Sequence, residues 1–202
     1  MTPQKGIFFY TSTTDAYKIS TFRVCGAHSK KDFPDTPMLD TMDIKILTIL
    51  QEDSTLPVAE IGKKVGLSTT PCWRRIQKLE QDGVIQRRVA LLDPQSVSAG
   101  VTVFVAITTN QHNAGWLERF NGVVASFPEI VEAYRMSGQV DYLLRVAVPD
   151  IASYDRFYKA FISQIDLTDV SSSFAMEQIK FTTALPLSFA AKAAAKRPQQ
   201  VA

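Results

Sequence analysis

The hydrophobic period changes once along this chain, and that change constrains the fold more than any other feature. Between Asp40 and Gly83 apolar residues recur every third or fourth position: Ile44, Leu47 and Leu50, then Val58, Ile61 and Val65, then Trp73, Ile76 and Leu79. That spacing keeps one stripe of a helix buried. Beyond Gly100, Val101, Val103, Val105 and Ile107 alternate strictly with their neighbours, the period of a strand with one buried face. A helical unit followed by a sheet-bearing unit is implied, and 202 residues suffice for two small domains.

Punctuation residues set the helix boundaries. Asp40 is placed to cap a first helix over 40–52, and Pro57, tolerated in a first turn because its missing N–H has no partner there anyway, opens a second that Gly66 closes. Ser68 stands as the N-cap of a third helix, with Pro71 in its first turn, Trp73, Ile76 and Leu79 facing inward, and Gly83 as a left-handed stop. Two helices joined by a Gly-Leu-Ser turn form a helix-turn-helix pattern. Val84 to Leu92 reads as an extended segment leaving this unit, and Asp93-Pro94 ends it.

In the second half a helix follows Asn113, with Trp116, Phe120, Val123, Val124 and Phe127 at helical spacing. Val131 to Met136 and Tyr142 to Val148 alternate as a hairpin around Ser-Gly-Gln-Val-Asp. Ile151, Tyr154, Tyr158, Phe161 and Ile165 mark another amphipathic helix, and Phe174 to Thr182 a final strand. The order is β-α-β-β-α-β, a split sandwich with both helices on one sheet face. The other face carries enough apolar side chains that dimerisation is expected there. The fold class is therefore α+β: a winged helix-turn-helix over 38–94 followed by a ferredoxin-like domain over 95–187. Residues 1–37 read as a poorly ordered extension, with Met38 as an alternative start, and 188–202 as a loose tail.

Charge supports a nucleic-acid role only through its distribution. The net charge is +2, yet residues 63–88 hold Lys63, Lys64, Arg74, Arg75, Lys78, Arg87 and Arg88 against Glu80 and Asp82 alone. On the third helix Ser68, Thr69, Thr70 and Trp73 occupy the first turns, where hydroxyls and a methyl can reach base edges in the major groove of double-stranded DNA. Arg74, Arg75 and Lys78 follow, able to neutralise phosphates, with Arg87 and Arg88 as candidate wing contacts. A bland reading stands beside this one: a solvated basic face, a Trp73 packed in the core, and strand-surface arginines.

Other chemistries find little footing. Cys25 and Cys72 lack any CxxC spacing, and His28 and His112 cannot build a histidine-rich metal centre, so neither a metal nor another cofactor is expected. Cys72, beside two arginines, invites a redox-switch idea through a lowered thiol pKa, against the commoner role of a buried small hydrophobe. No stretch reaches the roughly 18 apolar residues of a spanning helix, and the opening lacks a signal-peptide pattern, so a cytoplasmic protein with no membrane partner is expected.

The run LDTMDIKILTILQEDSTLPVAEIGKKVGLSTTPCWRRIQKLEQDGVIQRRVALLDP resembles the N-terminal half of the Lrp/AsnC "feast or famine" transcription regulators, and FPEIVEAYRMSGQVDYLLRVAVPDIASYDRFY resembles their amino-acid-sensing domain. The likeness spans about 39–187. It implies a DNA-binding regulator, dimers assembling into octamers, and a small amino-acid effector bound between dimers. TTPCWRR and SSSFAMEQIKFTT look closest to the branch responsive to cysteine. The matching effector loop is Ser137, Gly138, Gln139, Val140, Asp141 and Tyr142, with Asp141 as ammonium partner and Ser172 on the last strand beside it. Family members often carry an acid where Gln139 stands, so the charge of this pocket departs from the pattern. The alternative for the loop is a plain hairpin turn held by Asp141. Two other functions fit the same architecture: a tetrapyrrole (sirohaem-type) decarboxylase, for which only His112 is available in this half, and a stand-alone amino-acid sensor, which would give the basic helix no purpose. Catalysis is not expected.

Overall fold

The computed structural model of the chain describes residues 39–195. The extension over 1–37, the start at Met38 and residues 196–202 lie outside the described residues.

Three helices come first. α1 (Thr41–Glu52) starts on a reciprocal cap: the Asp40 carboxylate accepts from the Met42 and Asp43 amides at 2.8 Å each, and the Asp43 carboxylate accepts from the Asp40 amide at 3.1 Å. Those bonds satisfy amides that the first turn leaves without helical partners. α2 (Val58–Val65) and α3 (Thr69–Gln81) follow, and the glycines after them, Gly66 and Gly83, take φ of +77° and +72°. A Cβ on Gly62 would come within 2.8 Å of the Leu67 carbonyl oxygen. Glycine there lets the turn close directly onto α2.

Ile46, Leu47, Leu50, Ile61, Val65, Cys72, Ile76 and Leu79 form the core of this unit, each large aliphatic side chain stabilising it by about 1.5–3 kcal/mol on burial. Cys72, not Trp73, takes the inward position on α3, and Trp73 is 51% exposed. Spacings of four and three keep residues 72, 76 and 79 on one stripe, whereas the expected series 73, 76, 79 drifts steadily round the helix. Val84 and Ile85 fold back onto the same core, but the extended stretch beyond them makes no strand pairing among the described residues.

The second unit is a four-stranded antiparallel sheet in the order β2-β3-β1-β4, made of β1 (Val101–Thr108), β2 (Ile130–Arg135), β3 (Tyr142–Val148) and β4 (Asp169–Phe174). α4 (Ala114–Ser126) and α5 (Ile151–Ile162) pack on one face. Each starts on a side-chain cap, Asn113 to the Trp116 amide and Asp150 to the Ser153 amide. Alternate residues of β1 and β3 point beneath these helices and join Trp116, Phe120, Tyr154, Phe157 and Phe161 in one core. On α5 the buried series runs through Tyr154, Phe157 and Phe161, while Ile151, expected inward, is 70% exposed. The opposite sheet face carries Phe104 and Tyr134 exposed, with Glu132 bridging Arg145 at 2.6 Å.

The last strand lies earlier than expected. β4 pairs Asp169 with Thr108 and Phe174 with Val103, and the Ala175 amide still reaches the Thr102 carbonyl. There β1 runs out, so 176–186 has no strand partner among the described residues and no regular structure, and Met176, Ile179 and Phe181 stay exposed. The tail also differs from expectation. Ser188–Ala195 forms α6, Leu187 packs on the helical core, and the Gln51 side-chain amide exchanges two 3.0 Å bonds with the Leu185 backbone.

Candidate nucleic-acid interface and effector loop

α3 owes its presentation to its buried stripe. With Cys72, Ile76 and Leu79 held in the core, Ser68, Thr69, Thr70, Trp73, Arg74 and Lys78 all lie exposed. Ser68 occupies the N-cap position, but its side chain makes no capping bond, so its hydroxyl is left to solvent or a ligand. Trp73 extends the exposed run started by Thr69 and Thr70, an aromatic face one turn into the helix.

The five basic residues read as DNA contacts, Arg74, Arg75, Lys78, Arg87 and Arg88, divide into two groups. Arg75 turns back across the unit and binds Asp40 at 2.5 Å and Asp43 at 2.8 Å. It ties α3 to the start of α1. The Asp40 and Asp43 hydrogen bonds raise the guanidinium's pKa further, so it stays charged. Burial alone would raise the Asp40 pKa, but the Asp43 and Met42 amides together with Arg75 hold it below its ordinary 3.8. Arg88 is likewise engaged, with Glu80 at 2.9 Å. Lys78 pairs one turn away with Asp82 at 3.0 Å, on a side chain 74% exposed, and such surface pairs exchange at little cost. Arg74 and Arg87 have no acidic partner among the described residues. Cys72 is fully buried, and desolvation pushes its thiol above 9.0, the reverse of what a redox switch requires.

The effector loop is built differently. Gly138 takes φ of +125° and lets the chain reverse between β2 and β3, with Ser137 and Gln139 exposed and Val140 half-buried. The Asp141 carboxylate accepts from the Thr109 amide at 2.8 Å, the Asp141 amide donates to the Ile107 carbonyl, and the Met136 amide donates to the Asp141 carbonyl. Asp141 thus fastens the hairpin to the end of β1. Tyr142 enters the core, its ring 4.4 Å from Phe120 and 5.7 Å from Trp116, and burial raises its phenol pKa. Ser172 turns under α5 to share a hydrogen bond with the Tyr154 hydroxyl. Beside the loop lies a cavity of about 220 Å³ lined by Gln111, His112, Asn113, Trp116, Arg135 and Tyr142. Arg135 and His112 give it positive and hydrogen-bonding character that the loop alone lacks. Arg135, at the end of β2, has no signal in the sequence beyond its place next to the turn.

Comparison with known proteins decides the family. The AsnC-type helix-turn-helix domain matches residues 39–80 and the Lrp/AsnC ligand-binding domain residues 102–185. This chain belongs to the Lrp/AsnC family. The glutamate uptake regulatory protein of Zymomonas mobilis is 52% identical over 149 residues, 74% of this chain and 91% of that protein. The DNA-binding transcriptional activator DecR of Escherichia coli is 49% identical over 151 residues, 74% of this chain and 99% of its own length. Among solved structures, an AsnC family transcriptional regulator from Agrobacterium tumefaciens superposes with a TM-score of 0.73 at 69% identity, covering 75% of this chain and 99% of that one. A transcriptional regulator of Neisseria meningitidis in complex with L-methionine superposes at 0.71 with 36% identity, covering 75% and 98%. As an Lrp/AsnC protein the chain is a DNA-binding transcriptional regulator with an amino-acid ligand domain, and the basic helix and the loop lie inside the two matched domains. No described helix is long and apolar enough to cross a membrane.

Proposed function

We infer that the chain reads a specific DNA sequence with α3 and that a small amino acid bound at the Ser137–Tyr142 loop tunes that reading. The carrying observation is the exposed run Thr69, Thr70, Trp73 and Arg74 on a helix whose other side is locked in the core. Base-edge contact needs such a presented first turn, and phosphate contact needs an exposed cation that is not firmly committed to a carboxylate. Arg74, Arg87 and the loosely paired Lys78 fill that second role. Two reading heads in a dimer would sit about one turn of DNA apart, so the operator is an imperfect palindrome.

The cavity beside the loop is smaller than the ~300 Å³ at which small-ligand sites usually begin. That small size fits a partial site that a neighbouring subunit would complete, in keeping with effector binding between dimers and an assembly above the dimer, the octamer included. Cysteine is the first effector to try, with methionine beside it because a related regulator was solved with L-methionine bound. The function calls for no cofactor and no catalysis, and a regulator of transcription belongs in the cytoplasm.

A gel shift with the protein's own upstream DNA at two salt concentrations, with and without an amino-acid panel, tests this reading. A salt-sensitive shift altered by one amino acid is expected. Absence of any shift, alongside tight small-molecule binding, would leave the stand-alone sensor in its place.

A further inference from the structure

A second cavity lies at the opposite end of β2 and β3 from the effector loop. It measures about 430 Å³ and is lined by Phe127, Glu129, Val148, Ser153, Arg156 and Phe157 among others, within the range of roughly 300–1,000 Å³ typical of small-ligand sites. Its polar groups are not used by the fold in the way Asp141 is. Glu129 Oε2 is buried and has no hydrogen-bond partner among the described residues, a state that native proteins seldom leave uncompensated. The backbone carbonyl of Glu129 does its structural work separately, accepting from the Ala147 amide at 2.9 Å. Arg156, also on the lining, meets no carboxylate within ion-pair distance among the described residues and donates to the Ser153 hydroxyl at 2.9 Å. The neighbouring acid, Asp150, caps α5; the Ser153 hydrogen bonds, and more weakly the Arg156 charge, lower its pKa without an ion-pair contact. The rings of Phe127 and Phe157, 5.4 Å apart and edge to face, line the same cavity.

A carboxylate acceptor, a guanidinium donor and an aromatic wall together complement an ammonium, a carboxylate and an apolar side chain. We propose that the cavity formed by Phe127, Glu129, Arg156 and Phe157 is a second amino-acid site, taking a free L-amino acid with an apolar side chain. Glu129 receives its ammonium, Arg156 its carboxylate, and the two phenylalanines its side chain. This site stands on its own lining residues and does not depend on the loop reading.

The test is calorimetric titration of the full chain with L-methionine, and with N-acetyl-L-methionine and L-methioninol as analogues lacking the ammonium or the carboxylate. Two distinct classes of site are expected at saturation, one at this cavity and one at the loop. Glu129→Gln should weaken one of them by about tenfold or more, the usual effect of losing a charge-assisted bond, and Arg156→Gln should weaken the same one. Both analogues should fail at that site, and Asp141→Asn should leave it unchanged. Arg156 is exposed at the start of α5, so Arg156→Gln decides the matter if Glu129→Gln does not fold. Wild-type binding in both variants, with all affinity lost in Asp141→Asn, would overturn the second site and keep the loop. No methionine binding to the wild-type chain would overturn it as well.

Discussion

The recognition helix and the effector loop use polar side chains in opposite ways. On α3 the backbone is fixed by apolar burial on one side, so Thr69, Thr70, Trp73 and Arg74 are free of structural duty. In the loop the polar and aromatic side chains themselves hold the backbone: Asp141 anchors β1 and Tyr142 fills the core, while Ser172, on β4, supports α5. A side chain needed by the fold cannot be freely offered to a ligand. The difference teaches that DNA contact here can change without loss of stability, whereas effector contact is coupled to the stability of the sheet unit. Arg75 tests the distinction, because it sits on the recognition helix yet is spent on Asp40 and Asp43.

The largest effect expected is in the loop. Asp141→Ala removes the acceptor of the amide of Thr109, a buried residue, and should destabilise the chain by about 1–2 kcal/mol, measured by urea unfolding. A neutral result would place Asp141 with the free residues and break the contrast. Next comes Arg75→Ala, at about 1 kcal/mol once solvent screening of a pair on half-exposed side chains is allowed for, with Asp40 and Asp43 left facing each other. The same pair gives an acid dependence. Because the Asp40 pKa lies below 3.8 when folded, its contribution is fully present above the ordinary value and is lost as pH falls through the lower folded value. Melting curves should therefore drop more steeply below about pH 4 in the wild type than in Asp40→Asn. The smallest stability effect is for Arg74→Ala, within about 0.5 kcal/mol.

The helical unit was legible because its signals are local. A cap, two stop glycines and three stripes of apolar residues lie within a few turns of what they control; the structure differs in burying Cys72 rather than Trp73 on α3 and Ile46 rather than Ile44 on α1. The two central strands, β1 and β3, were legible from their strict alternation. β4 escaped notice because Asp169 to Ser173 is nearly all polar: an edge strand mostly exposed to solvent needs no apolar alternation. The apolar series from Phe174 onward suggested a strand that β1 is too short to pair. α6 carries alanines rather than an amphipathic stripe, and its docking rests on Gln51 and Leu185, 134 residues apart. In the candidate sites the residue types and positions could be read, but not which charges the fold consumes. Arg75 meets acids 32 and 35 residues away, Asp141 an amide 32 residues away, and no pattern in the sequence links them.

The most direct test of this account is a fluorescence-anisotropy titration of operator DNA across a range of salt for the wild type, Arg74→Ala and Arg75→Ala. Each phosphate contact contributes a slope of about 0.9 in log affinity against log salt. The account predicts that Arg74→Ala lowers the slope by about one contact while Arg75→Ala leaves it unchanged. Equal losses in both variants, or a loss in Arg75→Ala alone, would contradict it.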